Sequence, residues 1–130
     1  MSIPPLPALV TLVAMVGFLA TVMLVGAARV KHGVKPPSVV GPEPFERALR
    51  VQQNTLEQLM VFLPCFWLAV AFSSEPVATA IGFIWVGGRV AFAVGYLQAA
   101  EKRAAGFAIS FISVIVLLVM ALVGVLARLG

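Results

Sequence analysis

Charged residues divide this chain into four long apolar stretches. Residues 2–28 carry no charged side chain, and the run ends at Arg29. Crossing a hydrocarbon core takes about 20 apolar residues in a helix, which predicts a transmembrane helix over 5–29, opening after Pro4, Pro5 and Pro7. The competing reading, a signal peptide, needs a basic start and a shorter apolar run than this one. A Pro- and Gly-rich loop follows, KHGVKPPSVVGPEP (31–44), and Pro44 suits the first turn of a second helix over 44–72. That helix starts polar, FERALRVQQNTLEQ, and turns apolar, LMVFLPCFWLAVAF, with Pro64 expected to kink it. Ser73, Ser74, Glu75 and Pro76 read as a tight turn into a third helix over 76–100, whose one interior charge is Arg89. A polar turn, EKRAAG (101–106), leads to an uncharged fourth helix over 106–127. Short links between four helices predict an all-α, up-down antiparallel bundle forming a single domain over 1–130.

Composition narrows the class. Of the 130 residues, 62% are hydrophobic and 11% charged, and so few charges cannot cover the surface of a soluble fold of this size. The expectation is an integral multi-pass membrane protein. Nine Lys or Arg stand against five Glu, but they flank apolar runs and form no separate basic domain, which argues against nucleic acid as a partner. Cys65 and His32 are single, so no disulfide within the chain and no metal centre is expected. Arg29, Lys31, Lys35, Arg47, Arg50, Lys102 and Arg103 border the first and third loops, and only Arg128 lies on the other side. By the positive-inside rule, loops 31–44 and 101–106 are cytoplasmic and both termini face away, in a bacterial inner membrane or a eukaryotic endomembrane.

Two charges fall at membrane depth, where an ionised side chain needs a partner or a purpose. Counted from the shared turn, Glu57 and Arg89 lie at nearly the same depth, and the expectation is that they pair, within one chain or across a subunit boundary. Arg47, Arg50, Asn54 and Glu57 form one helical stripe, bordered by Gln53, while Gln52 points elsewhere. Arg89, Phe92 and Tyr96 share a face of helix three, and Gly87 and Gly88 are expected to admit a neighbouring helix. Matching depths puts Asn54 near Phe92 and Arg50 near Tyr96, with Arg103 just beyond. Together they predict a net-positive cleft, open to the cytoplasm, suited to a small anion with several hydrogen-bonding groups. Other polar and aromatic residues have plainer roles: Lys31, Lys35 and Lys102 as headgroup contacts, Trp67 and Trp85 as packing or interface anchors, Cys65 as an inert buried thiol. Buried polar side chains can also serve only to join helices.

The stripe FERALRVQQNTLE (45–57) resembles the helix-two signature F-E-R-x-x-R-x-Q-x-N-x-x-E of the MAPEG family, membrane-associated proteins of eicosanoid and glutathione metabolism. GRVAFAVGY (88–96) is similar to that family's helix-three segment. The resemblance covers nearly the whole chain. It implies a homotrimer with glutathione as co-substrate, bound between subunits. It further implies that Arg29, Arg50, Gln52, Asn54, Glu57 and Tyr96 hold the peptide, that Arg103 stabilises its thiolate as the catalytic group, and that Arg89 is the family's intramembrane arginine. The implied activity is glutathione transfer, with peroxidase activity in prospect, towards lipophilic electrophiles or lipid hydroperoxides. The alternative is a non-catalytic lipid- or ligand-binding member of the family. A small four-helix exporter fits less well, because such proteins depend on an acidic residue in helix one and residues 2–28 have none. Gln58 and Phe92 stand where the family has tyrosines. Met60 replaces a family proline, and the absence of a serine after Arg103 speaks against prostaglandin synthesis.

Overall fold

The computed structural model describes residues 2–130. Four helices fill it: α1 (Pro5–His32), α2 (Glu43–Phe72), α3 (Glu75–Gln98) and α4 (Ala104–Leu129), with one 3₁₀ turn, Ala100–Arg103, between the last two. Each is long and apolar enough to cross a membrane. The helix ends follow local chemistry. Gly33 closes α1 in the left-handed region at φ 67°, which glycine adopts without steric cost, and the Val34 N–H returns to the Arg29 carbonyl. Glu43 and Glu46 occupy the first turn of α2, where negative charge complements the helix dipole. Ser74 caps α3 by accepting from the Val77 N–H, and Pro76 follows in the first turn. At Pro64 the α2 helix continues without a break.

The core is thin. Trp85 stacks on Phe62 at 3.9 Å between ring centroids and 9° between planes, and Phe66, Val10 and Leu117 complete the centre. The Trp85 indole donates to Gln58 and that of Trp67 to Thr11, so both tryptophans pack within the bundle. A second cluster, Val25, Val34, Phe45 and Ala48, fastens the first loop to α1 and α2. Buried hydroxyls on α1, α3 and α4 bond back to carbonyls of their own helices, as Thr21, Thr79, Ser110 and Ser113 do. Outside this core, large apolar side chains such as Leu12, Val16, Met23, Ile112 and Val123 face outward. A surface of that kind is stable in lipid, where the backbone must be satisfied within its own helices. The protein is an all-α integral membrane bundle.

Glycines set how closely α3 approaches α4. A Cβ on Gly88 would stand 2.9 Å from the Ser110 backbone nitrogen, and one on Gly106 would run into the Phe92 backbone. Gly87, expected to share this role, faces open space instead. The close approach at Gly88 and Gly106 brings the start of α4 against the polar face of α3.

Candidate functional site

Arg89 organises the middle of the bundle. It is 6% exposed. Its guanidinium donates to Asn54 Oδ1 at 2.8 Å, to Thr55 Oγ1 at 2.9 Å and to Ser110 Oγ at 3.2 Å, and it lies 4.2 Å from the Phe92 ring centroid. The expected partner within the chain, Glu57, is not among these groups. Among the described residues the ion pair formed is Arg47–Glu43, one turn apart at the start of α2. Depth alone suggested Glu57; the long arginine side chain instead reaches back along α2 towards its N-terminus, to Asn54 and Thr55. Neutral oxygens and an aromatic face solvate the cation, leaving Glu57 free to face a different space.

That space is a cleft of about 640 Å³ between α2, α3 and the start of α4. Arg50, Gln53, Asn54 and Glu57 line it from α2, Phe92 and Tyr96 from α3, and Arg103, Ala104 and Phe107 from the segment beyond. Three of the four stripe residues on α2, Arg50, Asn54 and Glu57, therefore share one cleft with Phe92 and Tyr96 of α3, while Arg47 lies outside it. Two arginines against one glutamate make the lining net positive. Arg103 is exposed, bonded to the Ala100 carbonyl at 2.8 Å and set 5.5 Å from the Tyr96 ring centroid, so the 3₁₀ turn and the aromatic face aim it across the cleft mouth. A rim cavity of about 460 Å³, lined by Glu43, Glu46 and Arg47, joins the cleft at Arg50 and Tyr96.

Two of the expected ligand-holding residues lie elsewhere. Arg29 donates to the Ser38 carbonyl at 2.8 Å and to the Val34 carbonyl at 3.4 Å, with its guanidinium 5.0 Å from the Phe45 ring centroid. It ties down the first loop rather than lining the cleft. Gln52 is half-buried on another side of α2. Conversely, Ala104 and Phe107 line the cleft although the fourth helix offered no charge to signal them. The aromatic at the first turn of α4 was the available clue.

An apolar groove of about 290 Å³ continues from the cleft between α2 and α4. Asn54, Glu57 and Phe107 belong to both spaces, and Val61, Phe111 and Leu118 line the apolar part. Gln58 stands at this junction. The residues replacing family tyrosines are thus both engaged: Gln58 accepts the Trp85 indole N–H at 2.9 Å, and Phe92 carries the Arg89 cation on its face.

Comparisons with known proteins agree with this architecture. The model of the MAPEG family matches residues 7–123. An uncharacterized protein of Synechocystis is 49% identical, over 95% of this chain and 90% of its own. Microsomal glutathione S-transferase 2 of Mus musculus is 41% identical, over 80% of this chain and 71% of its own. Leukotriene C4 synthase of Cavia porcellus is 34% identical, over 87% and 83% respectively. A four-helix membrane bundle with the FERALRVQQNTLE stripe lining its polar cleft, matched nearly end to end, is a member of the MAPEG family.

Proposed function

We propose that the protein is a membrane-embedded glutathione transferase acting on lipophilic electrophiles, with lipid hydroperoxides as a second substrate class. The observation that carries this reading is the net-positive cleft continuing into an apolar groove. A polar, anionic tripeptide suits the first space and an apolar co-substrate the second. The resemblance to microsomal glutathione S-transferase 2 and leukotriene C4 synthase supports the same reading.

In this proposal Arg50 holds a carboxylate of glutathione, Asn54, Glu57 and Tyr96 engage its polar groups, and Arg103 faces the sulfur. A free thiol ionises near pH 8.5, so a cation held beside it raises the thiolate fraction at neutral pH. Fixing that thiolate beside an electrophilic carbon supplies orientation as well as charge. Attack forms the carbon–sulfur bond and expels the leaving group or opens the ring. Arg29 and Gln52, outside the cleft of their own chain, act in this proposal from a neighbouring subunit of a homotrimer. Loops 31–44 and 101–106 face the cytoplasm, so glutathione enters from there while apolar co-substrates arrive from the bilayer.

The test uses the purified protein in mild detergent. Its oligomeric state is measured, its affinity for glutathione is titrated, and its turnover is assayed against a panel of electrophiles and lipid hydroperoxides. A trimer that binds glutathione and conjugates the electrophiles is the expected result. Tight glutathione binding without turnover would leave a binding protein, and absence of glutathione binding would remove the proposal.

A further inference from the structure

At the junction of cleft and groove, the Gln58 side chain has an orientation that its neighbours dictate. An indole N–H can only donate, so the atom 2.9 Å from Trp85 Nε1 must be the amide oxygen. Trp85 is itself 1% exposed and clamped flat against Phe62. The amide nitrogen is therefore held on the opposite side, where it is buried and has no acceptor. Buried donors without a partner are rare in native structures and point to a missing acceptor. The side chain forms part of the wall of the α2–α4 groove, next to Glu57, with its amide nitrogen buried just behind the surface of that wall.

We propose that the Gln58 amide N–H₂ is the donor for an oxygen on the electrophilic substrate, making the groove selective for oxygenated lipids such as α,β-unsaturated carbonyl compounds. This rests on the transferase reading above. The groove wall on either side is apolar, with Val61, Phe111 and Leu118 suited to the hydrocarbon tail. The terminal torsion of a glutamine is broad, so a ligand oxygen in the groove can draw the N–H₂ towards itself, the amide oxygen turning with it and lengthening its bond to the indole. In the reaction the thiolate sulfur bonds to the β-carbon, the carbon–carbon π pair shifts, and the carbonyl π pair moves onto oxygen as an enolate. The Gln58 N–H stabilises that developing charge, and water then protonates the α-carbon to give the saturated thioether carbonyl. A neutral amide is suited to this task because it strengthens its bond as charge grows on oxygen without giving up a proton.

The test compares the parent protein with Gln58→Met, which keeps the length and loses the N–H, on two co-substrates of similar tail length: trans-2-decenal and the oxygen-free 1-iodooctane. Losing one donor to a developing oxyanion costs about a hundredfold in turnover, so kcat for the enal should fall by that order while kcat for the iodide stays within about threefold of the parent. The second readout is the infrared carbonyl stretch of bound, unreactive 2-decanone labelled with carbon-13. It should lie at lower wavenumber in the parent protein than in detergent alone, and Gln58→Met should abolish that difference. Equal loss on both co-substrates, or an unchanged carbonyl stretch, would mean that Gln58 serves only to anchor Trp85. A parent protein that conjugates the iodide but discriminates nothing at Gln58 overturns this inference alone. One that conjugates neither co-substrate overturns the transferase reading and this inference with it.

Discussion

Two arginines that look alike in the sequence do different physical work. Arg89 is buried among neutral oxygens, and a hydrogen bond to a charged group contributes about 1.5–3 kcal/mol. Asn54→Leu and Arg89→Leu should each lower thermal stability in detergent, and the double variant should lose less than the sum, because the two side chains share a 2.8 Å bond. Glu57→Leu combined with Arg89→Leu should be additive; a strong coupling there would restore the pairing that depth alone suggested. Arg103, exposed at the cleft mouth, should affect chemistry instead. If it faces the glutathione sulfur, it favours thiolate over thiol. Arg103→Leu should then cut turnover about ten- to hundredfold at pH 7, one to two pKa units of bound thiol. The sign is fixed: removing the cation raises the thiol pKa, so activity should recover as pH rises towards 9. Ultraviolet absorbance of bound thiolate, titrated from pH 6 to 9, measures this, and Arg50→Leu should chiefly weaken glutathione binding. The stripe Arg50, Asn54, Glu57 was legible in the sequence because one helix face obeys simple spacing. The partners of Arg89 were not, since depth is one coordinate and the direction a side chain takes across the helix interface is another.

Among the helices, the α3–α4 contact decides the shape of the cleft. Gly106 meets the Phe92 backbone and Gly88 the Ser110 backbone, whereas Gly87 meets nothing. Overpacking a close contact costs about 1–3 kcal/mol, and Gly106→Ala should lose that much in thermal unfolding. Gly87→Ala should be neutral or gain up to about 1 kcal/mol, since alanine is the better helix former. A comparable loss for both variants would mean that Gly87 packs against another copy of the chain. The four helices could be read from the charge pattern, and their caps from Pro, Ser and Gly. Which of two adjacent glycines faces the neighbour could not, because they lie about 100° apart on the helix and nothing local says which way it is turned. The fourth helix was the least legible. Its contributions, Phe107 and Ser110, carry no charge and stand out only once α3 is in place.

At the scale of the whole molecule, the basic residues gather at one end. Arg50 and Arg103 line the cleft there, and Lys31, Lys35 and Lys102 border it in sequence. With Cys65→Ser as background, a cysteine at position 35 should react with a membrane-impermeant thiol reagent only in inside-out vesicles. Labelling from the outer face would reverse the proposed orientation and would bring glutathione in from the other side. The long apolar runs made the membrane class plain from composition. Of the residues that the resemblance assigns to the ligand, spacing already set Gln52 apart from Arg50 and Asn54, but nothing in the sequence showed that Arg29, at the end of α1, bonds to the first loop instead of lining the cleft.

The neutral surroundings of Arg89 have a consequence for how the cleft behaves in salt solution. Its acceptor Asn54 and its aromatic partner Phe92 both line the cleft, so a fixed positive charge stands one side chain behind the ligand space. Mobile ions screen exposed charges within about 8 Å at physiological ionic strength, but they screen buried charges far less. Arg50 and Arg103 should therefore lose influence as salt rises while Arg89 keeps its own. Glutathione affinity measured by calorimetry at increasing potassium chloride should fall and then level off instead of declining without limit. A bias that dissolved ions cannot reach would keep the cleft selective for anions at the ionic strength of any cytoplasm.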